Sequence, residues 1–186
     1  MKNIVLFASG SGTNVENIIQ YFKNKNIENN FFVLTNNPNA FVIERAKKFN
    51  VPCFVFTKEE LKNGVVLNKI SDFKPDLIVL AGFLLMFPAS IIEAYPNKVI
   101  NVHPALLPKF GGKGMYGKFV HEAVVANKET ETGITIHYVN EKYDEGAIIF
   151  QAKTSVESTF SAEDVAKAVH QLEYEYFPEV IENLLG

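Results

Sequence analysis

Three side chains carry the first chemistry that this sequence offers. Asn101 and His103 stand in the run Asn101-Val102-His103-Pro104-Ala105-Leu106-Leu107-Pro108, and Asp144 opens Asp144-Glu145-Gly146. An amide, an imidazole and a carboxylate are the groups needed to stabilise an oxyanion and move a proton. Transfer of an acyl or formyl group to an amine passes through a tetrahedral oxyanion, and donors must be aimed at that developing charge. Asn101 offers an amide N–H₂ and His103 a ring N–H. A nearby carboxylate favours the charged imidazolium, the better donor. Asp144, on a turn between two expected strands, is the candidate, and it is also placed to receive the amine's proton, directly or through water. Taken singly, these residues are ordinary: a strand histidine is more often structural, and Asp-x-Gly is usually a turn.

The elements that must position them follow from apolar periodicity. Lys98–His103 reads as a short strand delivering Asn101 and His103 near its carboxyl end, and residues two apart point to one face. Further strands are expected at Asn3–Ala8, Phe31–Thr35, Cys53–Phe56 and Asp76–Ala81, with helices at Val15–Lys25, Ala40–Phe49, Glu59–Asp72 and Pro88–Ala94 between them. This alternation implies an α/β fold: a single Rossmann-like domain over residues 1–186, with a mostly parallel, twisted sheet flanked by helices. Gly133–Val139 and Ala147–Ala152 read as adjacent, antiparallel strands towards the C-terminal end. Ser161 then caps a long helix, with Asp164 in the place of the usual Glu of a capping box. That helix is expected to run towards Phe177, where Pro178 should kink or restart it. Pro108–Lys118 is the most loop-like stretch, and its glycines suggest a mobile edge to the site.

The first strand ends in Ser9-Gly10-Ser11-Gly12-Thr13-Asn14-Val15 before a helix, which aims free backbone N–H groups at an anion. A dinucleotide fingerprint is opposed by Val15 in place of the third glycine and by Thr35-Asn36-Asn37, which supplies no acid for a ribose diol. A P-loop is excluded because no Gly-Lys-Ser/Thr ending follows. Phosphate binding is the expectation; the bland alternative is a tight turn with Thr13 or Asn14 as helix cap.

A length of 186 residues suits one domain with a real core. The hydrophobic share of 47% argues against disorder, and a net charge of −3 argues against a nucleic-acid surface. Cys53 is the single cysteine, so no intrachain disulfide forms. No CxxC or HExxH spacing points to a metal. Cys53 lies in an apolar run and reads as a structural thiol. The first ten residues imitate a signal peptide only faintly, no stretch reaches the length of a membrane span, and a cytoplasmic protein is expected. His121, His137 and His170 suggest no partner geometry and read as structural.

The Asn-x-His-Pro-x-Leu-Leu-Pro stretch with Asp-x-Gly-x-Ile-x-x-Gln resembles the signature of the folate-dependent formyltransferases. The similarity spans nearly the whole chain and includes Ser9–Asn14, Pro75–Phe83, Asn101–Pro108, Thr132–His137, Asp144–Gln151 and Glu173. The short length and the Gly-Thr-Asn loop resemble the branch that formylates glycinamide ribonucleotide in purine biosynthesis. The resemblance implies that Asn101, His103 and Asp144 are catalytic, that Gly12, Thr13 and Asn14 hold the substrate phosphate, and that Glu173 contacts the ribonucleotide. It also implies 10-formyltetrahydrofolate as co-substrate, lying along Leu84, Leu85, Met86 and Phe87, near Asn101, and along Asn140, Glu141, Lys142, Tyr143 and Asp144. The apolar quartet fits an aromatic ligand, or simple core packing.

The chain departs from many relatives in having Leu84-Leu85 where Met-Arg is usual, in offering only Lys58, Lys62 and Lys69 near the folate tail, and in a longer Gly111–Gly117 loop. The expected partners are small molecules, with no metal, nucleic acid or membrane, in a monomer or homodimer. The rival readings are a formyltransferase for a sugar-nucleotide amine or methionyl-tRNA, a formyl-folate hydrolase, and a non-enzymatic binding module. The tRNA enzymes carry a further C-terminal domain and the hydrolases an N-terminal one. A binding module has no need of the Asn/His/Asp set.

Overall fold

The structure, a computed structural model, describes residues 1–186. The chain runs β1 (Lys2–Phe7), α1 (Thr13–Asn24), β2 (Asn29–Thr35), α2 (Val42–Lys48), β3 (Cys53–Val55), α3 (Lys58–Lys62), α4 (Val65–Phe73), β4 (Leu77–Leu80), α5 (Ala89–Ala94), β5 (Val99–His103), α6 (Lys118–Ala126), β6 (Glu131–Tyr138), β7 (Ile148–Ser155) and α7 (Ala162–Leu185). The strands form one seven-stranded sheet in the order β3-β2-β1-β4-β5-β6-β7. Neighbours from β3 to β5 pair parallel, and β6 and β7 join antiparallel. The α/β reading of the sequence is therefore observed.

The continuous apolar runs of β1 and β4 are buried on both faces, as a central parallel strand requires. Ile4, Leu6, Val79, Ile100, Val102, Ile134 and Ile136 pack on one side with α1, α2, α6 and α7. Val5, Phe7, Ile78, Leu80 and Val99 pack on the other with α3, α4 and α5. The chain reverses its direction of travel across the sheet between β1 and β4, which opens a crevice beyond their carboxyl ends. The loops after β1, β4 and β5 all empty into it.

Two expectations about helices are corrected. The stretch Glu59–Asp72 is two helices, parted at Asn63-Gly64, where Gly64 takes φ +93° and N-caps the second. Thr57 and Glu60 form a full capping box for the first, a signal that the sequence does contain. The capping box of Ser161 and Asp164 forms as expected. The helix it starts, however, passes straight through Pro178 to Leu185. Pro178 has no N–H for the carbonyl of Tyr174 one turn earlier. Asn17 Nδ2 of α1 donates to that oxygen at 2.9 Å instead. The orphaned acceptor is satisfied by a neighbouring helix, and the break is avoided.

No helix is long and apolar enough to cross a membrane. Cys53 is half-buried on β3, and burial raises its thiol above the usual range, in keeping with a structural role.

Candidate active site

A cavity of about 650 Å³ lies at the crevice. Its wall is built from residues of β4, β5 and β6, the loops after β1, β4 and β5 with the start of α1, the turn between β6 and β7, His121 of α6, and His170 and Glu173 of α7. Asn101, His103 and Asp144 all face it, as do Gly12, Thr13, Asn14 and Glu173. The fold thus brings these seven residues, far apart in sequence, to one cavity. Of the residues assigned to a folate, Leu84, Leu85, Met86, Phe87, Asn140, Lys142 and Tyr143 line the cavity, whereas Glu141 does not. Glu141, which the resemblance sets along the folate, is exposed and lies outside this wall. Phe87 is only 6% exposed and stands edge-on to Phe7 at 5.1 Å, so its main role is core packing. Leu84 and Met86 are 53% and 48% exposed, and they present apolar surface to the crevice.

The polar residues of the centre share one face of the sheet. In the antiparallel register, Asn101 stands opposite His137 and His103 opposite Thr135. Residues directly opposite across a ladder point the same way. Asn101 Nδ2 lies 3.2 Å from His137 Nε2, and His137 Nδ1 lies 2.9 Å from the carbonyl of Tyr138. That carbonyl only accepts, so Nδ1 carries a proton. Burial holds the His137 imidazole below its usual range, outweighing the upward pull of the Tyr138 hydrogen bond and the Asp144 charge. The ring is therefore neutral, and its Nε2 lone pair accepts from the Asn101 amide. This fixes the amide orientation and leaves a second Asn101 N–H free. His137, His121 and His170, all read from sequence as structural, line the cavity, and His137 stands directly beside Asn101. The only sequence signal for His137 is the alternation Ile134-Thr135-Ile136-His137, which places it on the face of Thr135. The irregularity of the β6–β7 ladder at Ile136/His137 coincides with it.

His103 is buried. Its Nε2 donates to the carbonyl of Phe110 at 2.7 Å, and its Nδ1 faces Asp144 Oδ2 at 3.5 Å. Asp144 Oδ1 is 3.7 Å from His137 Nε2, so the carboxylate sits between two imidazoles. Asp144 Oδ2 also accepts from the backbone N–H of Gly112 at 3.0 Å. The glycine-rich loop is thus tied at its root to both catalytic candidates. Asp144 itself takes φ 55°, a conformation that Asp tolerates better than most residues. The turn can fold this closely because Gly146 has no side chain: a Cβ there would meet the Tyr138 carbonyl oxygen at 1.6 Å.

A buried polar knot holds the segment after His103. Thr135 Oγ1 donates to Ala105 O at 2.7 Å and accepts from Leu107 N at 3.0 Å and Gln151 Nε2 at 2.9 Å. Every hydrogen-bonding capacity of that hydroxyl is used. Thr135 and Gln151 therefore position the His103 segment without reaching the cavity.

At the other end of the cavity, α1 begins at Gly12, and no side chain caps it, so its first-turn amides stay open. The alternative of Thr13 or Asn14 as cap is not observed. Gly12 takes φ +71°, and a Cβ there would lie 2.3 Å from Val42 Cγ2. Arg45 Nε donates to the carbonyl of Ser11 at 2.7 Å and holds the loop from below. Asn14 Nδ2 donates to Glu173 Oε2 at 2.8 Å. Burial raises the Glu173 carboxyl above its usual range, opposed by the Asn14 hydrogen bond and by His170. Ser9 Oγ accepts from the backbone N–H of Leu84 at 3.0 Å, which links this loop to the apolar wall.

No group of three or more His, Cys, Asp or Glu side chains is placed to hold a metal ion. The side chains of the centre offer hydrogen-bond donation and proton transfer beside an open helix start.

Comparison with known proteins agrees with this geometry. The family model described as formyl transferase matches residues 2–181. The phosphoribosylglycinamide formyltransferase of Bacillus subtilis is 34% identical over 192 aligned residues, which cover 100% of this chain and 96% of that protein. The enzyme of the same name from Escherichia coli is 31% identical, with 96% of this chain and 85% of that protein covered. Among solved structures, glycinamide ribonucleotide transformylase 1 from Geobacillus kaustophilus superposes with a TM-score of 0.91 at 34% identity, with 100% of both chains covered.

Proposed function

The chain belongs to the formyl transferase family, and on that premise we propose that it moves a formyl group from 10-formyltetrahydrofolate to the amine of phosphoribosylglycinamide, a step of purine biosynthesis. The observation that carries this reading is the placing of Asn101, His103 and Asp144 in the same cavity as the open start of α1 and Glu173. The catalytic set and an anion site share one crevice, as a phosphorylated amine substrate requires.

Each end of the cavity has its task. The first-turn amides at Gly12, Thr13 and Asn14 take the phosphate. Glu173, anchored by Asn14, meets the ribose. Exposed Leu84 and Met86 offer apolar surface to the flat pterin of the formyl donor, with Asn140, Lys142 and Tyr143 on the facing turn. Attack of the amine on the formyl carbon puts negative charge on the formyl oxygen. The free N–H of Asn101 and a protonated Nδ1 of His103 are the donors to that oxygen. Asp144, between the two histidines, balances the imidazolium and receives the amine's proton directly or through water. Collapse of the intermediate expels the folate nitrogen, which takes up a proton as it leaves.

The test is incubation of the purified protein with 10-formyltetrahydrofolate and phosphoribosylglycinamide, with water alone and initiator tRNA as competing acceptors. Formylated ribonucleotide should appear with tetrahydrofolate in equal amount. Tetrahydrofolate released without formylated ribonucleotide, or formylated tRNA, would replace this reading with a hydrolase or a tRNA enzyme.

A further inference from the structure

The cavity wall contains an imidazole that the mechanism above does not use. His121, on α6, is only 4% exposed yet lines the cavity, with His103 and His170 as its titratable neighbours. Its Nδ1 is sealed from solvent and finds no partner within the protein. Nε2 is therefore the ring nitrogen left open to the cavity. Buried polar groups are nearly always satisfied, and an orphan among them calls for an explanation. The His170 ring stands edge-on at 6.3 Å and extends the same wall along α7.

Burial, with the neighbouring His170 and His103, pushes the His121 imidazole down to about 4. The ring is thus neutral in the ordinary working range and carries one proton. Orphaned N–H groups are rarer than orphaned acceptors. The proton accordingly belongs on Nε2, and the sealed Nδ1 keeps its lone pair. His121 then presents a fixed donor to the cavity and carries no charge to be neutralised.

We propose that His121 is a substrate-recognition residue whose Nε2–H donates to an acceptor oxygen of the ribose phosphate, in the cavity that the Gly12–Asn14 loop and Glu173 also line. This deepens the reading of the site given above and rests on it. A neutral donor suits this position, since a cationic ring would repel the neighbouring His103 and His170 imidazoles whenever they are charged. The two sources of such an oxygen, the sugar and the phosphate, share one chemistry and are separable by experiment.

The substitution His121→Phe keeps the ring shape, removes the donor and breaks no hydrogen bond within the protein. The KM for the ribonucleotide should rise about tenfold or more, the scale of one hydrogen bond to a phosphate or sugar oxygen. The KM for the folate donor should hold. His121→Gln, which returns a donor near the Nε2 position, should recover part of the loss. An unchanged ribonucleotide KM in folded His121→Phe, or an equal rise in both KM values, would overturn the proposal. Wild-type protein that transfers no formyl group would instead overturn the functional reading.

A second measurement needs no variant. Long-range ¹H–¹⁵N spectra of the wild-type histidines should show His121 as the Nε2–H tautomer, with the Nε2 signal moving on addition of ribose 5-phosphate. Movement with inorganic phosphate as well assigns the acceptor to the phosphate, and movement with ribose 5-phosphate alone assigns it to the sugar. An Nδ1–H tautomer, or a signal unmoved by ribose 5-phosphate, would defeat the assignment.

Discussion

Asn101 and His137 face each other across the antiparallel ladder of β5 and β6, with the amide nitrogen of one 3.2 Å from Nε2 of the other. Since the neutral His137 ring can only accept at Nε2, the amide is held with its nitrogen towards the histidine. On the proposed mechanism His137 acts on the reaction through Asn101. Replacing it with Phe should lower kcat about tenfold, the scale of one neutral hydrogen bond, with little change in either KM. In an Asn101→Ala background the same change should cost almost nothing further. Additive losses would show that His137 does not work through the amide.

Asp144 joins the two halves of the centre, with His103 Nδ1 at 3.5 Å and the Gly112 N–H at 3.0 Å from the same oxygen. Asp144→Asn keeps the shape and tolerates the left-handed backbone, but removes the charge. Turnover should fall by about 10²-fold or more, the range of a lost acid–base group. Amide exchange at Gly112 should change little in Asp144→Asn and rise in Asp144→Ala, which loses the acceptor too. Near-normal turnover of Asp144→Asn would remove the charge from the mechanism.

Gly12, assigned above to phosphate approach, also serves packing. Its φ of +71° and the closeness of the Val42 side chain leave no place for a Cβ. Gly12→Ala should therefore lower stability by at least about 1–2 kcal/mol, measured by chemical denaturation, and not merely weaken ribonucleotide binding. Unchanged stability would mean that the loop relaxes away from Val42.

Asn17 takes over the hydrogen bond that Pro178 cannot make. Asn17→Ala should cost about 1 kcal/mol in the native chain. In Pro178→Ala, whose residue 178 again has an N–H for Tyr174 O, the same change should cost clearly less. A double-mutant cycle with no coupling between the two positions would refute the link.

The His121 ring binds its proton less readily in the folded chain, at about 4 against an ordinary 6.5. Its contribution to stability is therefore fully present above pH 6.5 and is lost as pH falls through about 4. His137, lowered for the same reason, acts in the same direction. Denaturation of His121→Phe between these limits should show a flatter pH dependence than wild type. The difference should reach on the order of 2 kcal/mol at the acid end, after allowance for the solvent in the cavity. Parallel curves would show that His121 titrates normally.

Local pattern determined most of what lies near in sequence. The alternation of apolar runs with helical stretches gave the parallel sheet, since strands buried on both faces must be apolar throughout. Asn101 and His103 were legible as a pair because strand residues two apart share a face. The open helix start at Gly10–Asn14 was legible because a turn between strand and helix exposes amides. Ser161 and Asp164 announced a helix start. What tertiary structure alone decided involves residues whose relation depends on how distant elements meet. The β5–β6 register made His137 the partner of Asn101, and a slip of one residue would have turned it to the other face. The packing of α6 against the sheet brought His121 to the cavity with one nitrogen sealed. The docking of α1 on α7 supplied Asn17 to Tyr174 and let the helix run through Pro178. A carbonyl deprived of its own donor is indifferent to where the next one comes from, and only the folded chain determines which donor is within reach.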